Sequence, residues 1–222
     1  MDKMDCSRAS VAVSNAPQPP LVLCVYGSPR IRGNTDLLMD EFSEGVEEGG
    51  GRTERVYLRN LKISPCREIY ACKDAGRCAI NDDMQPLYEQ IRQADGIALA
   101  TPIMFYGVSA QAKAFIDRCQ ALWCLKHLAR SPVSQSRLAE RRGVLLAVGA
   151  TMGERLFEAA LLTFRTFLEA VDAKLWKALT YRRIDEKGDI ERHPSAISDA
   201  RALGRELAHE LSLELGQVDR GG

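Results

Sequence analysis

Several donor-rich residues that follow a short apolar run could bind an anion. They are Ser28, Arg30, Gly33, Asn34 and Thr35. Their hydroxyl, guanidinium and amide groups can surround phosphate oxygens, and the positive end of a following helix favours negative charge. The stretch lacks the glycine spacing of dinucleotide folds and the lysine of a P-loop, so it predicts a mononucleotide phosphate site. The alternative is a polar turn in which Asn34 only caps the helix.

A second loop offers an apolar surface. Residues 101–107 read TPIMFYG and follow a short buried run, so Pro102, Ile103, Met104 and Phe105 should stand at the end of a strand. Ordinary packing would explain such residues, but a flat heteroaromatic ring also suits walls of this kind. Phosphate donors in one loop and an apolar slot in another suggest flavin mononucleotide (FMN) as the ligand.

Five strands alternating with helices would bring these loops together. Apolar or alternating runs predict strands over residues 21–26, 52–58, 96–100, 144–148 and 174–181. This alternation calls for a parallel sheet with right-handed crossovers, and we predict a doubly wound α/β fold with strand order 2-1-3-4-5 and helices on both faces. Ligands bind such sheets at the carboxyl ends of the strands where the order reverses, here between the first and third strands.

The helix signals are local. Asn34 and Thr35 can cap the first helix, and Asp82 followed by Gln85 resembles a capping box. A further helix is predicted over residues 109–123. Residues 125–142 are polar and basic, which predicts a long connection.

Composition favours one domain with small-molecule partners. The chain has 222 residues, and its 30 basic residues balance 30 acidic ones, so no global charge attracts nucleic acid or an anionic membrane. We expect a flexible tail over residues 1–20 and one FMN-binding domain over 21–216, with a cysteine-containing insertion at 59–83. Since no signal-peptide or membrane-spanning stretch is evident, we also expect a cytoplasmic protein with reduced thiols.

Three stretches together resemble the NADPH-dependent FMN reductase family of flavodoxin-like proteins, and within it the iron-sulfur flavoproteins. They are GSPRIRGNTDLL at 27–38, PCREIYACKDAGRCAINDDM at 65–84 and TPIMFYGVSAQAKAFIDR at 101–118. The resemblance implies that the first loop holds the FMN phosphate. It also implies that the flavin ring lies on residues 102–105 and Gly107, and that Thr151 and Gly153 complete the ring site. Homodimers or homotetramers with flavins near subunit interfaces are implied as well.

On this basis we predict an FMN-dependent oxidoreductase that passes electrons from NAD(P)H through the flavin to a small acceptor, such as a quinone or a free flavin. No residue is expected to act as a catalytic acid or base, because the flavin carries the chemistry. One alternative is an FMN electron-transfer protein of the iron-sulfur flavoprotein type. Another is a binding module without a cofactor.

Two positions depart from the family pattern. Cys66, Cys72 and Cys78 remain of the cluster motif, but Ile69 stands where iron-sulfur relatives have a further cysteine. A [4Fe-4S] cluster ordinarily needs four thiolates, so we expect no cluster and no metal site. Met104 stands where relatives usually place tyrosine, which could alter flavin packing without removing the phosphate site.

A rival interpretation uses the cysteine of the first apolar run. Cys24 and Arg30 have the C-x5-R spacing of cysteine phosphatases, in which a thiolate attacks a phosphate. However, Cys24 lies inside the apolar run, so we expect a buried thiol of raised pKa. Ile31 also occupies the position where such loops usually place serine or threonine. Phosphatase chemistry is therefore the least favoured alternative.

Two sets of charged residues have no assigned role. Arg137, Arg141 and Arg142 could attract the phosphate of NADPH, although a solvated loop is the simpler interpretation. Asp117 and Arg118 match the family motif at the end of a predicted helix. An ion pair there is as readily structural as functional.

Overall fold

The computed structural model describes residues 18–221, with side chains described as far as Val218. Residues 1–17 of the predicted tail, including Cys6, lie outside the described residues. Pro20 at the end of that predicted tail already joins the fold, because its carbonyl accepts a hydrogen bond of 2.8 Å from the Arg52 amide.

Five parallel strands form one sheet in the order β2-β1-β3-β4-β5. They are β1 (Leu21–Tyr26), β2 (Arg52–Tyr57), β3 (Gly96–Pro102), β4 (Arg141–Gly149) and β5 (Ala173–Arg182). The predicted fold class and strand order are confirmed. Because all pairings are parallel, the carboxyl ends of the strands share one edge, and the order reverses there between β1 and β3.

Helices cover both faces of the sheet. Within the described chain they are α1 (Asn34–Glu48), α2 (Ala71–Ala75), α3 (Met84–Gln93), α4 (Ala110–Arg118), α5 (Gln120–Ala129), α6 (Glu158–Ala170), α7 (Asp189–Arg192) and α8 (Ala196–Gly221). A 3-10 turn, Leu58–Asn60, follows β2. Among the described residues, no helix combines the length and apolar character needed to cross a membrane.

Alternate residues of the strands pack into two separate apolar layers. Val22 and Cys24 of β1 join the layer beneath α1 and α8, whereas Leu23 and Val25 join the layer beneath α3, α4 and α6. Every one of these four side chains is buried. The near-continuous apolar run of β1 is therefore explained by a strand that is covered on both faces.

The fourth strand begins at Arg141, before the predicted start at residue 144. The interpretation of Arg141 and Arg142 as residues of a solvated loop is therefore wrong. Arg141 is the first residue of β4 and is fully buried, so it does not belong to a solvated loop. Its guanidinium Nη1 donates to the carbonyls of Ile91 at 2.6 Å and Ala94 at 2.8 Å, and Nη2 donates to the Val171 carbonyl. A buried guanidinium is tolerated here because these carbonyls, which lie at the ends of helices, accept hydrogen bonds from its N–H groups.

The helix predicted over residues 109–123 is two helices. The Cys119 amide donates to the Ile116 carbonyl at 3.0 Å, a tight three-residue bond that ends α4. The Cys119 carbonyl then accepts from the Leu122 amide at 2.9 Å, which starts α5. Because α5 continues to Ala129, the connection predicted from residue 125 is shorter than expected.

Candidate functional site

A cavity of about 190 Å³ lies at the carboxyl edge of the sheet where the strand order reverses. Its walls come from the loop after β1, the loop after β3, the end of β4 and the segment after β5. The lining residues are Ser28, Pro29, Arg30, Gly33, Asn34, Thr35, Pro102, Ile103, Met104, Val148, Gly149, Ala150, Ile184 and Asp185. The structure thus brings together all the residues predicted in the first loop and three of those predicted in the second.

The loop after β1 folds back on itself before α1 begins. Ser28 is buried, and its Oγ accepts a hydrogen bond of 3.1 Å from the Arg30 amide. Gly33 precedes α1 in an extended conformation, and a Cβ at Gly33 would lie 3.0 Å from Ser28 Oγ. The close approach of the backbone to Ser28 therefore favours glycine at this position.

The first turn of α1 leaves donors available to a ligand. Within the described chain, neither the Asn34 amide nor the Thr35 amide forms a hydrogen bond. Thr35 is 1% exposed, and the structure shows no partner for its hydroxyl among the described residues. Together with the helix dipole, these groups provide the kind of free donors that an anion requires.

Asn34 does not cap its own helix, contrary to one sequence interpretation. No side chain caps α1. Asn34 Nδ2 instead donates to the Glu186 carbonyl at 2.8 Å, and Oδ1 accepts from the Gly188 amide at 3.0 Å and the Ile190 amide at 3.3 Å. Asn34 therefore caps α7, a helix more than 150 residues away in the chain, and holds the segment after β5 against the cavity.

Arg30 reaches the same segment. Its Nη1 donates to the Asp185 carbonyl at 3.1 Å, and within the described chain no carboxylate pairs with it. The guanidinium is exposed, so its remaining N–H groups are accessible to an anion. Arg30 can therefore contribute positive charge to the cavity.

Asp36 and Arg59 form an ion pair beside the first loop that sequence reasoning missed. Their closest atoms, Asp36 Oδ2 and Arg59 Nη1, are 3.0 Å apart, and Asp36 Oδ2 also accepts from the Arg32 amide at 2.9 Å. Burial raises the pKa of Asp36, and the Arg59 guanidinium opposes that rise. The only sequence signal was an acidic residue in the first turn of a helix, which is common for electrostatic reasons alone.

The second loop contains a strained reverse turn. Met104 and Gly107 exchange two backbone hydrogen bonds of 2.9 Å. Between them Phe105 and Tyr106 have φ angles of 47° and 65°, the left-handed region that costs a non-glycine residue about 1–3 kcal/mol. Met104 lines the cavity, whereas Phe105 is fully exposed and, like Gly107, lies outside the lining.

The third predicted loop lies outside the cavity. Thr151 is exposed and Gly153 is half-buried, and neither belongs to the lining, which uses residues 148–150 instead. Tyr106 packs directly on Gly153, because a Cβ at Gly153 would lie 2.6 Å from the Tyr106 hydroxyl. The second and third loops are thus in contact at the rim.

Arg118 closes the cysteine segment. Its guanidinium is fully buried and bonds to Asp82 at 2.7 Å, to the Ser64 carbonyl at 3.0 Å and to the Ile80 carbonyl at 3.2 Å. Only half of the predicted capping box forms among the described residues. Asp82 Oδ1 accepts from the Met84 amide at 3.1 Å, but Gln85 donates to the carbonyls of Ile80 at 2.6 Å and Cys78 at 3.2 Å and does not accept from the Asp82 amide. Arg118 therefore joins the two ends of this segment, and Asp117 pairs with Lys113.

The cysteines lie in different environments. Cys66 is exposed, and Cys72 and Cys78 are half-buried. Cys72 in α2 faces Cys124 in α5, and burial together with this neighbouring thiol raises the pKa of Cys72. Sequence reasoning missed Cys124 because it lies on a separate helix. In the part of the chain that the structure describes, no group of three or more His, Cys, Asp or Glu side chains could hold a metal ion.

Cys24 is a core residue, as predicted. Its thiol is fully buried in β1, and burial raises the pKa of Cys24 to about 12. A thiol with that pKa carries almost no thiolate at neutral pH, which is the form needed for nucleophilic attack. The site is therefore a cleft for binding and lacks the thiolate of a cysteine phosphatase.

Residues 20–178 match the model of the NADPH-dependent FMN reductase family. The match covers more than half of the chain, so the protein belongs to this family of flavin oxidoreductases. The fold, the strand order and the family resemblance found in the sequence agree with this assignment.

Curated relatives carry the name iron-sulfur flavoprotein. One from Methanocaldococcus jannaschii is 41% identical over 101 residues, which cover 46% of this chain and 52% of that protein. One from Archaeoglobus fulgidus is 43% identical over 102 residues, again 46% of this chain and 52% of that protein. The chain therefore spans about half the length of the curated relatives it matches.

Solved structures share the fold at low sequence identity. An NAD(P)H:quinone oxidoreductase from Methanothermobacter marburgensis has a TM-score of 0.64 and 17% identity, covering 85% of this chain and 99% of its own. A flavodoxin from the Archaea has a TM-score of 0.52 and 12% identity, covering 86% of this chain and 99% of its own. These similarities show the flavodoxin-like fold.

Proposed function

We propose that this protein binds FMN and transfers electrons from NAD(P)H to a small acceptor such as a quinone or a free flavin. The observation that carries the proposal is one cleft at the sheet reversal that combines unpaired donors of α1 with the apolar residues of the second loop. Family membership supports the same cofactor. The proposal thus rests on both chemistry and relationship.

The residues of the cleft fit FMN. Ser28, Arg30, Gly33 and Thr35 would hold the phosphate through hydroxyl, guanidinium and backbone donors. The apolar residues Pro102, Ile103 and Met104 would support one side of the ring. The chemistry that FMN supplies is hydride acceptance followed by electron release.

The rim residues fit the part of the ring that the cavity cannot enclose. The cavity of about 190 Å³ is smaller than the roughly 300–1,000 Å³ typical of ligand pockets. The ring would therefore extend past the rim, where Phe105, Gly107, Thr151 and Gly153 would contact it. Phe105 and Thr151 are exposed and Gly107 and Gly153 are half-buried, so this side of the ring would remain open to a nicotinamide and to an acceptor.

The absorption spectrum of the purified protein tests this proposal. After incubation with FMN and desalting, we expect absorption bands at about 375 and 450 nm. NADPH added without oxygen should bleach the second band. A protein that takes up no FMN would contradict the proposal. Hydrolysis of an aryl phosphate by such a colourless protein would favour phosphatase chemistry instead.

The names of the curated relatives favour a second candidate, an FMN electron-transfer protein of the iron-sulfur type. We propose that this chain holds no cluster, because only Cys66, Cys72 and Cys78 remain of the motif and a [4Fe-4S] cluster ordinarily needs four thiolates. Iron and sulfide analysis of protein purified without oxygen tests this. Iron and sulfide in equal amounts, with a broad shoulder in the absorption spectrum at about 400 nm, would support the second candidate.

We further propose a cytoplasmic homodimer or homotetramer. Met104, Phe105, Tyr106 and Met152 leave exposed apolar surface at the rim, which is a common property of subunit interfaces. Free cysteines among the described residues support a reducing compartment. Light scattering during gel filtration would measure the assembly, and a monomer at micromolar concentration would contradict it.

A further inference from the structure

The segment after β5 forms a wall of the cleft that no sequence motif marks. Residues 183–190, here the fourth wall, contribute Ile184 and Asp185 to the lining. The Ile184 amide donates to the Gly149 carbonyl at 3.2 Å, which joins the wall to the end of β4. Arg30 holds the Asp185 carbonyl on the other side at 3.1 Å. The fourth wall therefore spans the cleft from the phosphate loop to β4.

The fourth wall has little regular structure of its own to hold it. Arg183 and Gly188 have left-handed φ angles of 58° and 88°. Asp189 Oδ2 accepts from the amides of Asp185 at 2.9 Å and Glu186 at 2.7 Å, which tightens the turn. The following helix, α7, is only one turn long. Ile184 and Ile190 pack into the apolar layer beneath α1 and α8, and the backbone between them depends on hydrogen bonds to other elements for its position relative to the cleft.

Asn34 supplies most of those bonds. Its side chain is 7% exposed and makes three hydrogen bonds with the backbone of the fourth wall, to Glu186, Gly188 and Ile190. Oδ1 accepts two of them and Nδ2 donates the third. One backbone carbonyl and two backbone amides thus fix the orientation of the Asn34 side chain. Loss of these hydrogen bonds would leave buried backbone groups unpaired, which is costly in free energy.

We infer that the fourth wall binds the ribityl chain and ring of the flavin, and that Asn34 is the positioning residue that holds this wall. Asn34 would then serve the cofactor indirectly, and not as a phosphate ligand. Ile184 offers apolar contact, and the Asp185 carboxylate offers an acceptor for hydroxyl groups. This inference rests on the proposed function.

Riboflavin distinguishes the two roles because it has the ring and ribityl chain without the phosphate. We compare the affinities of wild-type, Asn34→Ala and Asn34→Asp proteins for FMN and riboflavin, measured by quenching of flavin fluorescence. Asn34→Asp keeps the acceptor for the Gly188 and Ile190 amides, but it replaces the donor to the Glu186 carbonyl with a second acceptor and adds a negative charge. Ser43→Ala, a buried change on the same helix at a side chain that lies beside Cys24 and Tyr26 and not against the fourth wall, is the matched control.

A positioning role predicts that Asn34→Ala weakens riboflavin binding about tenfold, which corresponds to about 1.4 kcal/mol. Asn34→Asp, which keeps two of the three hydrogen bonds, should recover part of that affinity, and Ser43→Ala should change it less than twofold. In flavin-free protein, the Gly188 and Ile190 amides of Asn34→Ala should exchange with deuterium at least tenfold faster than those of wild type. Asn34→Asp and Ser43→Ala should not show this increase.

Three results would overturn the inference. The first is amide exchange that is equal in Asn34→Ala and wild type. The second is loss of affinity for FMN but not for riboflavin in Asn34→Ala, which would make Asn34 a phosphate ligand. The third is a wild-type protein that binds FMN and has no measurable affinity for riboflavin. A wild-type protein that binds neither flavin would contradict the proposed function and the flavin-binding half of the inference, whereas equal exchange contradicts the inference alone.

Discussion

The cleft at the sheet reversal and the cysteine segment are each closed by one buried side chain that bonds to distant backbone. Asn34 holds the fourth wall of the cleft through three hydrogen bonds. Arg118 joins the two ends of the cysteine segment through Asp82, Ser64 and Ile80. Both side chains join backbone segments that are distant in sequence, but Asn34 does so with a neutral amide and Arg118 with a charged guanidinium.

The difference lies in what remains unpaired. In the cleft, the Thr35 hydroxyl and the first amides of α1 have no partner within the described chain. In the cysteine segment, Arg118 satisfies the carboxylate and carbonyl groups around it, and only its own buried Nε has no partner among the described residues of that cluster. Because the unpaired donors of α1 line the cavity, the cleft can accept a ligand, whereas Arg118 holds the backbone of its own segment.

The largest expected effect comes from removing the charge that closes the cysteine segment. Arg118→Met leaves the Asp82 carboxylate without its partner, and breaking a buried pair costs about 3–5 kcal/mol. Urea unfolding would measure this loss. Lys113→Met is the control, because its pair with Asp117 is exposed and should matter by less than about 1 kcal/mol. Equal effects of the two changes would contradict the comparison.

The same ion pair predicts a dependence on pH. Burial alone would raise the pKa of Asp82, but hydrogen bonds from Arg118, Ser64 and Met84 lower it below its ordinary value. A lowered pKa adds stability above about pH 4, and that stability is lost as the pH falls through the folded-state pKa.

Asp82→Asn should therefore cost about 2 kcal/mol at pH 7 and progressively less in more acidic solution. Unfolding by urea at several pH values would check this. Asp117→Asn, in the exposed pair, should show little dependence on pH. A cost of Asp82→Asn that stays constant from neutral to acidic pH would contradict the assignment.

The cleft should respond in ligand affinity more than in stability. Thr35→Val keeps the shape of the side chain and removes the unpaired hydroxyl, so FMN affinity should fall about tenfold while the unfolding midpoint changes little. Cys24→Ala is the control, because this thiol belongs to the core beneath the cleft. Cys24→Ala should lower stability and keep FMN affinity within about twofold of wild type. A loss of FMN affinity in Cys24→Ala but not in Thr35→Val would contradict the proposed role of Thr35 in FMN binding.

The smallest effect concerns the strained turn at the rim. Phe105 is fully exposed within one subunit and has a left-handed backbone, so Phe105→Gly loses no burial inside the subunit and relieves strain. In flavin-free protein diluted until the subunits dissociate, we expect a gain of about 0.5–1 kcal/mol in unfolding free energy. Ile31→Gly, at an exposed position without positive φ, should give no gain. A loss of stability in Phe105→Gly would show that the turn is not strained.

The sheet was predictable because each strand has a local signal. The apolar runs of β1 and β3 and the loops after them could be recognised without knowing any distant contact. The role of Asn34 could not be predicted, since its partners lie more than 150 residues away and contribute only backbone atoms. Arg141 was misassigned for a related reason, because a charged residue was expected at the surface and its buried carbonyl partners have no side-chain signature.

The fourth wall and Cys124 show the limit of motif reasoning for the site. Ile184 and Asp185 follow a strand at the edge of the sheet and match no pattern, yet they line the cleft. Cys124 lies outside the cysteine motif and meets Cys72 only because α2 packs on α5. Tertiary packing determines where these residues lie, whereas the donors of the loop after β1 lie at the start of the helix that follows it in the sequence.

The buried guanidinium of Arg141 has a consequence for how the molecule opens. It binds the end of α3 through Ile91 and Ala94 and the residue that follows α6 through Val171. Neither helix can separate from β4 without leaving this charge unpaired, so the two helices should lose protection from solvent exchange together. One side chain thereby makes that face of the sheet a single cooperative unit.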